Sequence, residues 1–570
     1  MSAQKRKEKT APRKGAPQRI QPRRSRVWGA DAGRLLRHSP WIYAAALVLL
    51  HILLAYLVIE PAPHTGGDNA GYLTLAKSLL ERHTYQDLYD PGEPLHTQYP
   101  PVFPAILALA SLVGLKSWMQ LKYLTIAFSA LGVGFTYLWI RRRRRPELAF
   151  GVALVMAVAP GVLGLSHWEL SDVPFWALTM IALWAWDRLR PGDYTMLAVA
   201  VIATTLAYFT RSAGLPLLIG AGVWLLWKQR WTELSIFVLV IGPLAIWWWW
   251  RARTQGGVDY VGQFWFVNPY DPSLGRIGAG ELLVRMKENG GKYLSWHLPV
   301  LLFGVQRFLA LSVLIVALAV YGWVVRLRRA RISELFVPLY IGLLLVWPAV
   351  WSGERFLLPA LPFILYYAGD ALVRILRLTM PAAARLVPAL IAGAIILVGM
   401  PQLSQAAQVS RECMGVYRAG DNYACLPESW KDFYGIAEMA PRVLPDNAVV
   451  LSRKPRNFYS AAGLKGRNYP LFAEPDSFFK TAREAGARYV LFDRLDGVSQ
   501  AYLVPVLVTR SNRFCILFGL GQERATVFGI LPDAVRVQPL QPDAQFATCG
   551  DEYWRSVAAR DSLYQGLIRF

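Results

Sequence analysis

Charge is scarce in this chain. Only 17% of its 570 residues are Asp, Glu, Lys or Arg, against about a quarter in a typical soluble domain. With 54% hydrophobic residues, that shortage excludes a string of soluble domains, although the length alone would allow several. Acids are scarcer than bases, 38 against 61, which leaves a formal charge of +23. The surplus does not describe a nucleic-acid binder. Lys and Arg gather in the N-terminal tail and in patches between apolar blocks, and they line no face with interleaved aromatics. Cysteine is the rarest of the informative residues, with four in all and none before Cys413. Cys413, Cys425, Cys515 and Cys549 are widely spaced, without the paired short gaps of a zinc site. Their confinement to the C-terminal part predicts an oxidising compartment there and two disulfides, in any of three pairings.

What the chain has instead is apolar blocks long enough to cross a bilayer, each needing about 20 residues of helix. Residues 1–38 are polar, basic and contain Pro and Gly, which predicts a disordered tail. The block that follows has no small-residue cleavage site, so it reads as a retained span and not as a signal peptide. Eleven spans are expected, over about 41–59, 121–140, 148–165, 173–187, 194–209, 213–227, 234–250, 299–325, 333–350, 356–373 and 386–401. Strict alternation puts every basic patch, including the run Arg141–Arg145, on one side. The inside-positive bias makes that side cytoplasmic. The N-terminus is then inside and everything after 402 outside, as expected of a bacterial-type inner-membrane protein. Trp247–Trp250 suit an interfacial aromatic belt.

The membrane part, 39–401, carries two substantial outer segments, 60–118 and 251–297. Within the first, Tyr72, Leu75, Ala76, Leu79 and Leu80 have helical spacing, and Tyr99–Leu112 reads as interfacial or re-entrant. Residues 402–570 read as an extracytoplasmic α/β domain. Strands are expected at 448–451 and 489–492, a helix at 477–487, and a hairpin from 515–518 and 526–530. Gly519-Leu520-Gly521 reads as its turn, because no helix follows to make a phosphate loop.

Four groups of residues stand at the outer ends of spans. Asp68, in Gly67-Asp68-Asn69-Ala70-Gly71-Tyr72, is either a helix N-cap or a general base. His167, Glu169 and Asp172 crowd a short outer loop, where ionisable groups are costly and often functional. Capping competes again at Asp172, and a divalent metal is left open by a spacing that specifies no site. Arg211 and Arg355 are cations on the side where topology does not call for them. A guanidinium suits phosphate; the alternative is an ion pair, for instance Arg355 with Glu354.

Together these groups resemble the C-class glycosyltransferases, which include the protein mannosyltransferases and the lipid A aminoarabinose transferases. Asp68-Asn69-Ala70-Gly71-Tyr72, with Ala76 and Leu79, is similar to their first-loop signature. Tyr99-Pro100-Pro101-Val102-Phe103-Pro104 resembles the proline-rich segment further along that loop. Ser171-Asp172-Val173-Pro174 resembles their second-loop acidic motif. Arg355-Phe356-Leu357-Leu358-Pro359 resembles a motif at the outer start of a late span. The resemblance covers about 40–400 and implies an inverting transfer from a polyprenyl-phosphate-linked sugar, outside the cytoplasmic membrane, to a glycan, lipid or protein acceptor. It makes Asp68 the catalytic acid of the first loop and Asp172 a secondary acid. Arg211 and Arg355 would hold the donor phosphate, with Tyr72, Tyr99, His167, Glu169 and Glu354 in support. The family's second acid is Asn69 here, which weakens a metal assignment. A transporter or flippase of lipid-linked saccharides is the alternative, but the sequence lacks the clear internal repeat often seen in transporters.

Overall fold

The computed structural model describes residues 40–143, 145–254, 260–380, 384, 386–520, 525–533, 536 and 545–550. The basic tail expected over 1–38 lies outside them. Six helices are long and apolar enough to cross a membrane: Pro40–Leu57, Trp118–Arg141, Trp231–Thr254, Leu309–Leu327, Glu354–Thr379 and Val387–Arg418. Pro146–Val158 and Pro160–Ser166 together make a seventh, bent by 60°. These helices make the chain a multi-pass membrane protein.

Helix is present at each of the eleven expected segments, but length does not support eleven full crossings. Tyr194–Thr210, Leu215–Trp227 and Ile332–Val346 have 17, 13 and 15 residues. At 1.5 Å per residue they reach about 20–26 Å, less than the roughly 30 Å of a hydrocarbon core. Two expected spans are broken. Ala159 is extended (φ −60°, ψ 129°) because it precedes Pro160, whose ring disfavours a helical residue before it. In the segment expected over 299–325, Gly304 ends Leu298–Phe303 with φ 73°, and Leu309–Leu327 starts afresh.

The membrane core packs around Asp172–Arg188, whose Phe175, Trp176 and Met180 are fully buried. Gly132 admits the Trp176 ring, since a Cβ there would lie 2.8 Å from it. At the opposite end from the first loop, the arginine run read as a topology marker also packs. Arg143 lies over the Trp139 ring and pairs with Asp187 and Glu334. Arg145, Arg326 and Arg374 converge on the buried Asp370.

The first loop folds as a helix, Asp68–Glu81, packed on a second, Val102–Leu112. Tyr72, Leu75 and Ala76 are buried between them, so this stripe faces protein and not lipid. Trp248 is buried beside the Tyr85 ring of this loop, while Trp247, Trp249 and Trp250 point outward.

Beyond the membrane part lies a six-stranded mixed sheet. Numbering strands along the chain, a short antiparallel hairpin in the 251–297 segment supplies β1 (Phe266–Asn268) and β2 (Asp271–Arg276). The large sheet holds β3 (Val449–Leu451), β4 (Lys465–Arg467), β5 (Tyr489–Phe492), β6 (Phe514–Leu520), β7 (Ala525–Ile530) and β8 (Ala547–Thr548). Their spatial order is β4-β3-β5-β7-β6-β8. β4, β3 and β5 are parallel, while β7 runs antiparallel to both β5 and β6. The β6–β7 hairpin is the expected one, but β6 runs on to Leu520, so Gly519 and Leu520 belong to the strand and not the turn. Gly521 lies outside the described residues. Helices Glu428–Val443 and Pro475–Ala485 cover the sheet. The disulfides are Cys413–Cys425 and Cys515–Cys549. The first staples the end of Val387–Arg418, a helix that runs straight through residue 402.

Candidate active site

Asp68 opens the first-loop helix, behind Gly67 at φ 90°. Gly67 holds the N-cap position, so Asp68 is the first helical residue and not the cap. Oδ1 accepts from Tyr99 Oη at 2.8 Å, and Oδ2 accepts from Arg355 Nη2 at 2.9 Å. The capping account of this residue therefore gives way to a side chain engaged elsewhere. Asp172 likewise makes no cap. It pairs with Arg211 Nη1 at 2.7 Å and lies 4.0 Å from Arg355 Nη1. Ser171 Oγ meets Arg211 at 3.1 Å and Tyr72 Oη at 2.8 Å. Asp68, Tyr72, Tyr99, Asp172, Arg211 and Arg355 thus form one connected cluster, drawn from five separate stretches of sequence. Arg211 and Arg355 flank the Phe356 ring, with guanidinium carbons 5.1 and 4.7 Å from its centroid.

The remaining expected residues sit around this cluster. Glu169 is buried against Lys122 at 2.8 Å, both side chains only 1% exposed, and accepts from the backbone of His64. His167 is buried beside this pair, its carbonyl accepting from Lys122 at 3.4 Å. Glu354 turns away to His297, at 3.3 Å. Arg355 pairs with Asp68 and, at 4.0 Å, with Asp172, not with its neighbour Glu354.

Electrostatics follow from this pairing. Burial pushes the Asp68 carboxyl up, but the Arg355 charge and the bonds from Tyr99 and Arg355 outweigh it. The net effect holds Asp68 well below the usual carboxylate range. His64, stacked on Trp168 with centroids 4.1 Å apart, is pushed down to about 3 by burial and then by Arg355 and Lys122, so it is neutral at pH 7. The acids do not fit a metal. Asp68 and Asp172 are each engaged by a guanidinium, and among the described residues no three His, Cys, Asp or Glu side chains converge.

Sequence reasoning missed Lys122, His64, His297 and the C-terminal residues that reach this cluster. Lys122 carried a signal, a lone cation inside an apolar span. The C-terminal residues carried none, because they lie in a domain without a motif.

At the level of sequence, no family model and no curated protein matches the chain. Solved structures do. The oligosaccharyltransferase of Archaeoglobus fulgidus, in complex with Zn and sulfate, aligns with TM-score 0.53 at 15% identity, over 86% of this chain and 75% of that one. ArnT from Cupriavidus metallidurans, bound to undecaprenyl phosphate, aligns with TM-score 0.51 at 14% identity, over 88% of this chain and all of that one. The chain has the GT-C fold. In the GT-C frame the Asp68 cluster lies where the first-loop helix, the start of Asp172–Arg188 and the start of Glu354–Thr379 meet.

Proposed function

We propose that this protein is a glycosyltransferase that moves a sugar from a polyprenyl-phosphate-linked donor to an acceptor hydroxyl, with inversion. The work is done at the outer face of a bacterial-type inner membrane, with the N-terminus inside. One observation carries this reading: a carboxylate and a guanidinium, Asp68 and Arg355, paired at 2.9 Å at the meeting of helix ends in a GT-C chain. In that chemistry the acceptor oxygen attacks the anomeric carbon as its proton passes to Asp68. The bond from that carbon to the phosphate oxygen breaks, and polyprenyl phosphate leaves. A base and a phosphate-binding cation are the two groups such a displacement needs.

The pairing also sets a sequence of events. While Arg355 holds Asp68, the carboxylate is ionised but weakly basic. A donor phosphate competing for the same guanidinium relaxes that hold and makes Asp68 a better proton acceptor. Arg211 stays with Asp172 and helps to shape the anion site. The lipid tail remains in the bilayer while the sugar reaches water, which accounts for a site at helix ends. The undecaprenyl phosphate held by the ArnT neighbour makes that lipid the first to test. The experiment incubates purified protein with a panel of undecaprenyl-phosphate sugars and measures released undecaprenyl phosphate. Movement of the intact lipid-linked sugar without release would instead support a flippase.

A further inference from the structure

Helix Pro455–Ala462 of the C-terminal domain lies against the first-loop helix Asp68–Glu81. Its Arg456 reaches the candidate active site. Nη1 donates to Tyr99 Oη at 2.7 Å, and that hydroxyl donates to Asp68 Oδ1 at 2.8 Å. The guanidinium carbon also lies 5.2 Å from the Tyr99 ring centroid and 5.4 Å from that of Tyr89. Nη2 faces Gln98 Oε1 at 3.4 Å. Among the described residues no carboxylate pairs with Arg456; its partners are the Tyr99 and Tyr89 hydroxyls and the Gln98 amide. Gly71 leaves room for the approach: a Cβ there would make a tight contact, 3.2 Å from Arg456 Cδ and 3.3 Å from Nη1.

The domain is held in this position by other contacts. Arg467 grips Asp90 with bonds of 3.0 and 2.7 Å, and Lys465 pairs with Glu93 at 2.8 Å. The backbone of Gly466 donates to Tyr89 O at 2.7 Å. Docking therefore does not need Arg456, which is free to act on Tyr99.

We propose that Arg456 is a positioning residue for the transfer reaction: through it the C-terminal domain fixes the Tyr99 hydroxyl and, with it, the Asp68 carboxylate. The inference rests on the reading of Asp68 as the base. A phenol has one proton to donate. With Arg456 filling an oxygen lone pair, that proton is directed at Asp68, and the charge-assisted bond is stronger than a neutral one. Without Arg456 the hydroxyl loses that charged donor, and its bond to the carboxylate weakens.

The groups facing Asp68 are Arg355 from the Glu354–Thr379 segment, Tyr99 from the first loop and Tyr72 from its own helix. Lys454 and Arg456 face it from the C-terminal domain, with His64 and Asp172 alongside. Removing Arg456 takes away one cation and loosens one donor, both of which hold the Asp68 carboxyl down. The acid limb of the kcat profile then moves to higher pH, a change that a purely structural role would not produce.

The test uses full-length protein and the undecaprenyl-phosphate sugar that the native protein turns over. Arg456→Gln is expected to lower kcat about tenfold with donor KM within about twofold, and Arg456→Lys to recover part of the loss. Arg467→Gln, which weakens docking alone, should lower kcat far less. An activity-free arm measures apparent unfolding temperature for Asp68→Asn, Arg456→Gln and the double variant, each with and without Tyr99→Phe. The expected result is a double variant that loses less than the sum, with the coupling gone once Tyr99 is Phe. Unchanged kcat in Arg456→Gln, an equal loss in Arg467→Gln, or additive unfolding shifts would overturn the proposal. Absence of sugar release by native protein would instead overturn the glycosyltransferase reading, while the unfolding cycle would still report whether Arg456 and Asp68 are coupled.

Discussion

Asp68 and Arg355 answer to each other, and most of the chemistry proposed for this chain depends on that pair. Arg355 is assigned to the donor phosphate, so Arg355→Ala should weaken donor affinity by about 10- to 150-fold, the loss of a charge-assisted hydrogen bond of roughly 1.5–3 kcal/mol. Equilibrium binding of undecaprenyl phosphate sugar checks it; unchanged affinity in a folded variant returns Arg355 to a structural ion pair. The pH dependence has a definite sign. The folded protein holds the Asp68 carboxyl below its usual range. The stabilisation from the pair is therefore present above the unfolded value, roughly 3.9, and is lost as pH falls through the folded one. The free enzyme should show no limb from Asp68 in kcat/KM between pH 5 and 8. A limb in that window that Asp68→Asn removes would contradict the assignment. At this scale much was legible. Asp68, Asp172, Arg211 and Arg355 stood out by residue type and position at span ends, Tyr72 and Tyr99 as supporting residues through the resemblance, and the fold brings the six together. What could not be read was which acid meets which base. Glu354 is next to Arg355 in sequence, yet it faces His297 because a turn of helix points adjacent side chains apart.

Helices and loops place that cluster, and here the sequence was a partial guide. Apolar runs revealed the helices at the eleven expected membrane segments, since bilayer-length hydrophobicity is a strong signal, but not the amphipathic helices Ala279–Lys292, Glu428–Val443 and Pro455–Ala462. They did not reveal the break at Pro160 or the stop at Gly304, which depend on local backbone preferences inside otherwise apolar runs. Nor did they reveal that Lys122, near the start of Trp118–Arg141, is paired with Glu169 in the loop before Asp172–Arg188. Breaking a fully buried pair leaves one charge stranded, at a cost of about 3–5 kcal/mol, whereas replacing both partners by neutral groups of similar size costs far less. Lys122→Met should therefore sharply lower the apparent unfolding temperature, and Lys122→Met with Glu169→Gln should recover most of it. A double variant as unstable as the single one would show that the pair's charge itself is required. In the C-terminal domain four of the six strands, including the hairpin, were visible in short apolar runs, while β4 and β8 were not. The cysteine pairing was not, because it is set by β6 and β8 lying side by side. Mass mapping of unreduced peptides should find Cys413–Cys425 and Cys515–Cys549; any other pairing would contradict the sheet order.

Over the whole molecule, the GT-C membrane part and the C-terminal domain meet at the candidate site. That meeting was invisible in sequence, since Arg456 lies 357 positions from the Tyr99 it touches and sits in no motif. The orientation proposed from the basic patches has a direct check: an alkaline phosphatase fusion after Gly420 should be active and one after Arg145 inactive, and activity at Arg145 would invert every assignment to the outer face. The most direct test of the account is single-turnover sugar transfer from an undecaprenyl-phosphate donor, in native protein and in Asp68→Asn, with donor affinity measured alongside. Asp68 makes no cap, so the Asn variant should keep its helix, bind donor within a few-fold and release undecaprenyl phosphate roughly 10²–10⁴-fold more slowly. Transfer at the native rate by Asp68→Asn, or no release by the native protein from any donor in the panel, would contradict it.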